Sequence, residues 1–372
     1  MAVNTILLDF SVDPNCVKND NQLSVISTNV ENVLRDYLTN MKLQNNMMLD
    51  DSLFKMYTGD LGVICTVRVF NNGLVTINIE YYKGDKQEPI LDYEKAKVLK
   101  HNIVERIDGA RHSHTLVPIR RGQLDKYFPT SDERLLEYDI DKIIFEEKTP
   151  YQKVLIVHSK TLGNILLLDD LQNISEADLI YTETLMARGK EDYKDKEIVI
   201  LGGGDGALLY ELLKENPKNV IMLEIDDVVM KACSKHMRSI CGDVLDKRSG
   251  ENYQIIVEDC MKSMQTFIKE DRKFDYVFGD LTDIPITATP TGELWDFFHN
   301  MLQLSFKILK PTGKFMTHVS IKHIFISVEA LKMYESQLMK LEPPVTINKS
   351  TAFVPSFYED WVFYQIGFEQ KA

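Results

Sequence analysis

The sequence predicts an α/β protein whose C-terminal half is built on a parallel sheet. Three observations predict it. From about residue 185, apolar runs of strand length alternate with amphipathic helical stretches, the pattern of consecutive βαβ units. The run "EIVILGGGDGALLYELL" (197–213) passes from a strand through a glycine turn into a helix. Acidic residues then recur at or just past the ends of the first four strands, where a parallel sheet binds its ligands.

At 372 residues the chain is long enough for more than one domain. Residues 1–120 read as an α+β unit. "GVICTVRVFNNGLVTINIEYY" alternates apolar and polar residues on both sides of Asn-Asn-Gly, a hairpin signal. The flanking "VISTNVENVLRDYLTNM" and "YEKAKVLKHNIVERI" have the i, i+3, i+4 apolar spacing of amphipathic helices. The basic stretch "RIDGARHSHTLVPIRRG" is expected to be a linker between domains. Residues 121–184 predict a small antiparallel β domain, from "RLLEYDIDKIIFEEKTP", "QKVLIVHSK" and "NILLLDDLQ" with turn residues between them. Residues 185–372 hold the parallel sheet: "EIVILG", "NVIMLEID", "YQIIVED", "FDYVFGD" and "KFMTHV", with a closing hairpin of "TINKSTAFVP" and "WVFYQIGF".

Composition narrows the function classes. A net charge of −13 argues against a nucleic-acid partner and suits small cationic substrates. No stretch approaches the roughly 20 apolar residues of a membrane span, and the start "MAVNTILLDF" lacks the basic region of a signal peptide. Five cysteines without a C-x-x-C pair read as reduced thiols. A cytoplasmic protein with no membrane partner is expected. "HSH" (112–114) has no companion ligands, so no metal is expected.

The acids carry the chemistry. Asp205 sits inside the glycine turn, Glu224 and Asp226 close the second strand, Asp259 the third and Asp280 the fourth. One such acid is an ordinary helix cap; acids at four strand ends of one sheet ask for another reason. Glu224, roughly twenty residues past the glycines, is placed to accept from ribose hydroxyls, and Asp259 from an adenine amino group. No Lys-Ser/Thr follows the glycines, which excludes a P-loop. Gly202 and Gly204 allow close backbone approach. In a phosphate cradle Asp205 would repel the ligand, whereas beside a nucleoside with a cationic tail it pairs with an ammonium. A tail that keeps its ammonium and lacks a carboxylate is the better match.

The segments "ILGGGDGA", "LEIDD", "VEDC" and "GDLTDIPI" resemble the aminopropyltransferases, the spermidine and spermine synthase family. "RRGQLDKYFPTSDERLLEYDIDKIIFEEKTPYQKV", "ISEADLIYTETLMARGKEDY" and "VPSFYEDWVF" are similar to its spermine-forming members. The resemblance implies a Rossmann-like, methyltransferase-type catalytic domain. It also implies an N-terminal domain that resembles S-adenosylmethionine decarboxylase and makes a homodimer. The activity it implies is transfer of an aminopropyl group from decarboxylated S-adenosylmethionine, a co-substrate rather than a cofactor, to spermidine. It further implies Asp280 as general base, with Asp205 and Tyr181 as its catalytic companions. Gln152, Gly202, Gly204, Asp205, Glu224, Asp226 and Asp259 would hold the donor; Tyr181, Asp205, Asp280, Thr282 and Glu359 would hold the acceptor. Gln172 occupies the place of a second nucleoside-contacting glutamine, and Trp361 is expected to pack.

Two positions depart from the pattern: Ala207 replaces a glycine, and Asp283 gives a D-x-x-D spacing like that of spermidine synthases. Spermidine or thermospermine synthesis is therefore the alternative. A methyltransferase is a further reading, because "LKPTGKF" and the strand order recur there. A non-catalytic paralogue ranks last, since the carboxylates and Tyr181 are present.

Overall fold

The computed structural model describes residues 2–84, 86–129, 134–281, 293–320 and 327–369. It divides into two compact units, Met1–Lys126 and Tyr127–Ala372.

In the first unit the elements run β1 (Ala2–Val12), α1 (Asp20–Leu34), β2 (Lys42–Met48), β3 (Ser52–Thr58), β4 (Ile64–Phe70), β5 (Leu74–Lys83), α2 (Tyr93–Val104), β6 (Ala110–Thr115) and β7 (Ile119–Gly122). Asn19 caps α1 through the Gln22 N–H and Asp92 caps α2 through the Lys95 N–H. The helices bury Leu23, Ile26, Val30 and Val33, and Ala96, Leu99 and Ile103, at the spacing that predicted them. Strands β4 and β5 form the expected hairpin, and Gly73 takes the positive φ of its turn, +95°. The sheet order is β2-β3-β4-β5-β1-β6, with β7 also paired to β1.

The expected linker is instead sheet. Thr115 pairs with Leu8 and Ile119 with Thr5, both antiparallel to β1. Basic side chains hid the pattern because they occupy the wet face of the strands. There Arg111 meets Asp13 at 2.5 Å, and Arg121 pairs with Glu80.

The second unit begins with the short pair β8 (Tyr127–Pro129) and β9 (Leu135–Glu137). A four-stranded antiparallel sheet follows, β10 (Ile140–Lys148), β11 (Lys153–Ser159), β12 (Gly163–Leu168) and β13 (Leu171–Ser175), in that order. Then come α3 (Leu179–Leu185), β14 (Glu197–Gly202), α4 (Ala207–Leu213), β15 (Asn219–Glu224), α5 (Asp227–His236), α6 (Arg238–Cys241), β16 (Tyr253–Val257), α7 (Cys260–Lys269) and β17 (Phe274–Asp280). The remainder is α8 (Glu293–Ile308), β18 (Leu309–Ser320), α9 (Ser327–Leu338), β19 (Val345–Val354) and β20 (Glu359–Phe368).

The large sheet has the order β16-β15-β14-β17-β18-β20-β19. The first five strands are parallel, and β20 and β19 run against them. Each face has its own core. Ile198 and Ile200 pack with Leu208 of α4, Val229 of α5 and Val154 and Leu166 of the antiparallel sheet. Val199 and Leu201, on the other face, pack with Met264 of α7 and Met301 of α8. The crossover after β14 runs to one side and that after β17 to the other, so the crevice opens where β14 and β17 lie side by side.

A buried acid fixes α3 to the turn before β20. Asp178, 1% exposed, accepts from the Ser175 N–H at 2.7 Å, the Ser356 N–H at 3.0 Å and the Ser356 hydroxyl. Tyr138 donates to the Ser356 carbonyl at 2.7 Å. Asp178→Ala leaves these donors buried and unmatched. It is expected to destabilise the protein by about 2–4 kcal/mol, a fall of several degrees in Tm by calorimetry; an unchanged Tm is the contrary result.

Candidate active site

The carboxyl ends of β14 and β17 meet at a contact that only glycine permits. Gly202 has φ +83°, and a Cβ on it would lie 2.3 Å from the Asp280 carbonyl oxygen. The Gly203 N–H donates to that same oxygen at 3.0 Å. The turn is thereby held against the end of β17, and Asp205 and Asp280 are brought to one crevice. Gly204 is close-packed as well: a Cβ there would lie 2.7 Å from Glu224 Oε2.

A cavity of about 330 Å³ opens at this crevice. Its walls include Gln152, Gly202, Gly204, Asp205, Glu224, Asp259 and Asp280, all expected from the sequence. Glu258 also lines it, giving five carboxylates and, among the described lining residues, no lysine or arginine. Leu168, Leu223, Ile225, Val229, Leu281 and Phe297 supply apolar wall. The combination suits a ligand with a flat apolar body, hydroxyl and amino donors, and a positive end.

Electrostatics follow from burial. Glu224 accepts from the Asp226 N–H at 2.8 Å, yet burial, with Asp226 and Asp205 nearby, pushes it up to about 7. Burial raises Asp205 also, against the 2.8 Å hydrogen bond it accepts from the Ala207 N–H. Asp280 is pushed up to about 8, first by burial and then by the charge of Asp205. The Tyr181 hydroxyl donates to Asp280 Oδ1 at 3.1 Å and acts in the opposite direction. These carboxyls hold their protons to higher pH than free ones, and a cation placed among them would favour their charged forms.

Other expected residues take different places. Asp226 is not in the cavity wall. It caps α5 through the Val228 N–H at 3.0 Å, and its Oδ2 accepts from Thr149 Oγ1 at 2.8 Å and Gln152 Nε2 at 3.2 Å. It thus orients Gln152, which does line the cavity. Asp259 both lines the cavity and caps α7 through the Met261 N–H at 2.9 Å. Asn173 stands in the wall where Gln172 was expected, and Gln172 Nε2 is buried without a partner among the described residues. Glu359, at the start of β20, lies 3.6 Å from Arg134. Trp361 packs as expected, 3% exposed and 5.7 Å from the Tyr181 ring. Thr282 and Asp283 lie outside the described residues.

The sequence reading missed Glu258, Asn173, Leu281, Phe297, Thr149 and His318. The first two were visible as neighbours of residues already chosen. His318 is the next-to-last residue of the run "KFMTHV", at the same sheet edge as the acids, and that position was the available signal. Among the described residues no group of three or more His, Cys, Asp or Glu is arranged to hold a metal. No described helix is long and apolar enough to cross a membrane.

Fold and site together define a methyltransferase-like α/β protein with an acidic crevice at the carboxyl ends of its parallel strands. The chain belongs to the spermine/spermidine synthase family: the spermine/spermidine synthase domain matches residues 178–372, and the spermidine synthase tetramerisation domain matches residues 127–176. It is by that membership a transferase, an aminopropyltransferase of polyamine biosynthesis.

The polyamine aminopropyltransferase of Sulfurisphaera tokodaii is 35% identical over 206 residues, 51% of this chain and 66% of the relative. The thermospermine synthase ACAULIS5 of Arabidopsis thaliana is 26% identical over 241 residues, 63% of this chain and 67% of the relative. The crystal structure of spermidine synthase from Thermotoga maritima shares the fold, with a TM-score of 0.55 and 21% identity. That match covers 67% of this chain and 81% of the other.

The raised carboxylates carry a stability consequence. An aspartate that ionises only near pH 8 in the folded state, against 3.8 as its ordinary value, keeps a proton the unfolded chain gives up. Its contribution to stability therefore falls as pH rises from about 4 to about 8. Asp280→Asn removes that loss. The variant is expected to be more heat-stable than the parent at pH 8, by about 2–4 °C for each kcal/mol recovered, and to lose this advantage at pH 4. Equal Tm values at pH 8 count against the buried, raised carboxylate.

Proposed function

We propose that the protein transfers an aminopropyl group from decarboxylated S-adenosylmethionine to a polyamine amine, releasing 5′-methylthioadenosine. The observation that supports this reading best is Asp280. One carboxylate oxygen, Oδ2, stands near the glycine turn, 3.4 Å from where a Gly203 Cβ would lie, and the other meets Tyr181. A base so placed borders both a donor bound on the turn and an acceptor arriving beside the tyrosine.

In this reading Glu224 accepts from the ribose hydroxyls, Asp259 and Gln152 contact the base and nucleoside, and Asp205 pairs with the donor's ammonium. The absence of a donor carboxylate matters here, because two anions would otherwise face each other in a buried site. Asp280 takes a proton from the acceptor's ammonium group. The freed nitrogen attacks the propyl carbon next to sulfur; the N–C bond forms, the C–S bond breaks, and its electron pair stays on sulfur. The sulfonium leaves as a neutral thioether, so the leaving group needs no proton. General-base assistance is worth about 10²- to 10⁴-fold, and alignment of two bound substrates at least as much.

For the acceptor, the names of the relatives point to spermidine- and thermospermine-forming enzymes more than to the spermine-forming reading expected from the sequence. Residues 127–176, which match the tetramerisation domain, support oligomerisation. We assign Met1–Lys126 to association as a homodimer, in a domain whose shape resembles that of S-adenosylmethionine decarboxylase.

Purified protein given the decarboxylated donor with putrescine or spermidine is expected to release methylthioadenosine, and chromatography of the product separates spermidine, spermine and thermospermine. No release with either acceptor rejects the reading. Asp280→Asn is expected to lower turnover about 10³-fold or more. The rate is expected to rise between pH 7 and 9, as Asp280 ionises and more amine is free; a flat profile is the contrary result.

A further inference from the structure

His318 is a polar residue among aromatic rings, with no hydrogen-bond partner among the described residues. It lies on β18 beside the end of β17, where Thr317 is in register with Gly279, so it flanks Asp280 on the side away from the glycine turn. Its side chain is 6% exposed. The ring sits 5.1 Å from Tyr181, 5.3 Å from Trp361 and 6.5 Å from Phe363, centroid to centroid. Nδ1 is buried without a hydrogen-bond partner, and Nε2 is 4.0 Å from Asp280 Oδ1, too far for a hydrogen bond. Phenylalanine would fill the same space without a stranded nitrogen.

The 4.0 Å gap has the size of a missing atom. An amine nitrogen donating to two acceptors at about 2.8 Å each spans roughly 4.6 Å at the tetrahedral angle, and roughly 4.0 Å if that angle closes to about 90°. The Nε2 to Oδ1 separation therefore accommodates one amine between the two groups. The gap lies beside Oδ1, the oxygen that meets Tyr181, while Oδ2 stands near the glycine turn. Burial pushes the imidazole down to about 4, so it is neutral in ordinary buffers and free to accept. Among the described residues, the titratable groups facing it are Asp280 from β17 and the Tyr181 phenol from α3; from β20 it meets Trp361 and Phe363, which carry no charge.

We propose that His318 is a second contact for the attacking amine, its Nε2 accepting one N–H while Asp280 Oδ1 accepts another. This rests on the polyamine-acceptor reading above. With two of its N–H groups held, the ammonium has a fixed position and orientation; when the N–H facing Asp280 breaks, His318 still holds a second hydrogen and the freed lone pair turns from Asp280 towards the propyl carbon. The proton that leaves breaks from nitrogen and forms O–H on Asp280; His318 keeps its own hydrogen on Nδ1 and stays neutral.

The test compares His318→Gln, which keeps an acceptor, with His318→Phe, which keeps the ring packing. Acceptor kcat/KM is expected to fall about ten- to a hundredfold in the Phe variant, the effect of one lost hydrogen bond to a charged group. Donor affinity should stay within about twofold, and Gln should restore a large part of the loss. If Phe behaves like the parent and Gln does not, the residue only packs and the inference falls. It falls also if both variants match the parent.

A parent protein that releases no methylthioadenosine with any polyamine rejects the transfer reading separately. In that case calorimetry with spermidine and methylthioadenosine decides His318 alone. Weaker spermidine binding by the Phe variant sustains the contact; equal or absent binding overturns it. Should neither variant fold, imidazole ¹⁵N spectra of the parent serve. Of its eight histidines, the one that stays neutral down to about pH 5 must shift when spermidine is added, and an unmoved signal overturns the proposal.

Discussion

The Gly203 N–H donates to the carbonyl of Asp280, and that hydrogen bond exists only because Gly202 has no side chain to strike the same oxygen. The contact ties the turn after β14 to the end of β17 at the point where the crossovers diverge. Everything chemical in the crevice depends on it. It sets the acid of the turn beside the acid of the neighbouring strand, and it holds both in a place where water is scarce. Like charges buried together resist ionisation, which is why Asp280 is pushed up to about 8 and Glu224 to about 7. Burial thus favours the protonated forms of these carboxyls, and a cation placed among them would favour the charged forms.

Around that joint the protein arranges its support with ordinary means. Asp226 is spent on capping α5 and on holding Thr149 and Gln152. Asp178 fastens the turn that precedes Trp361 and its strand. Tyr181 projects from α3, just after Asp178, and donates to Asp280. The two fastenings place a hydrogen-bonding wall beside Gln152 and an aromatic wall beside Tyr181. The carboxylate between them faces both.

Much of this was legible in the chain. The glycine turn, the strand-end acids Glu224, Asp259 and Asp280, and the order of strands after residue 197 could be read because parallel βαβ units put strand ends on one edge. The Asn-Asn-Gly hairpin and both N-terminal helices were legible for the same reason: their periodicities are local. The stretch 110–122 was not. Its strands pair with β1, more than a hundred residues earlier, and its basic side chains masked the alternation. Asp226 looked like a ligand group because position along the chain does not reveal which hydrogen bonds a carboxylate already makes. His318 was passed over because its companions come from α3, β17 and β20.

The sequence by itself determined the class of fold and the acidic character of the site, since these follow from local periodicity and from residue types at strand ends, and its motifs carried the resemblance to the family. Only the tertiary structure decided how those acids divide their work. It buried Asp205, Glu224 and Asp280 together without a lysine or arginine in the described wall, turned Asp226 away to serve Gln152, and set an unpartnered imidazole 4.0 Å from Asp280. The physical reason is that pKa and hydrogen-bond supply depend on distances between strands, and no spacing along the chain encodes those.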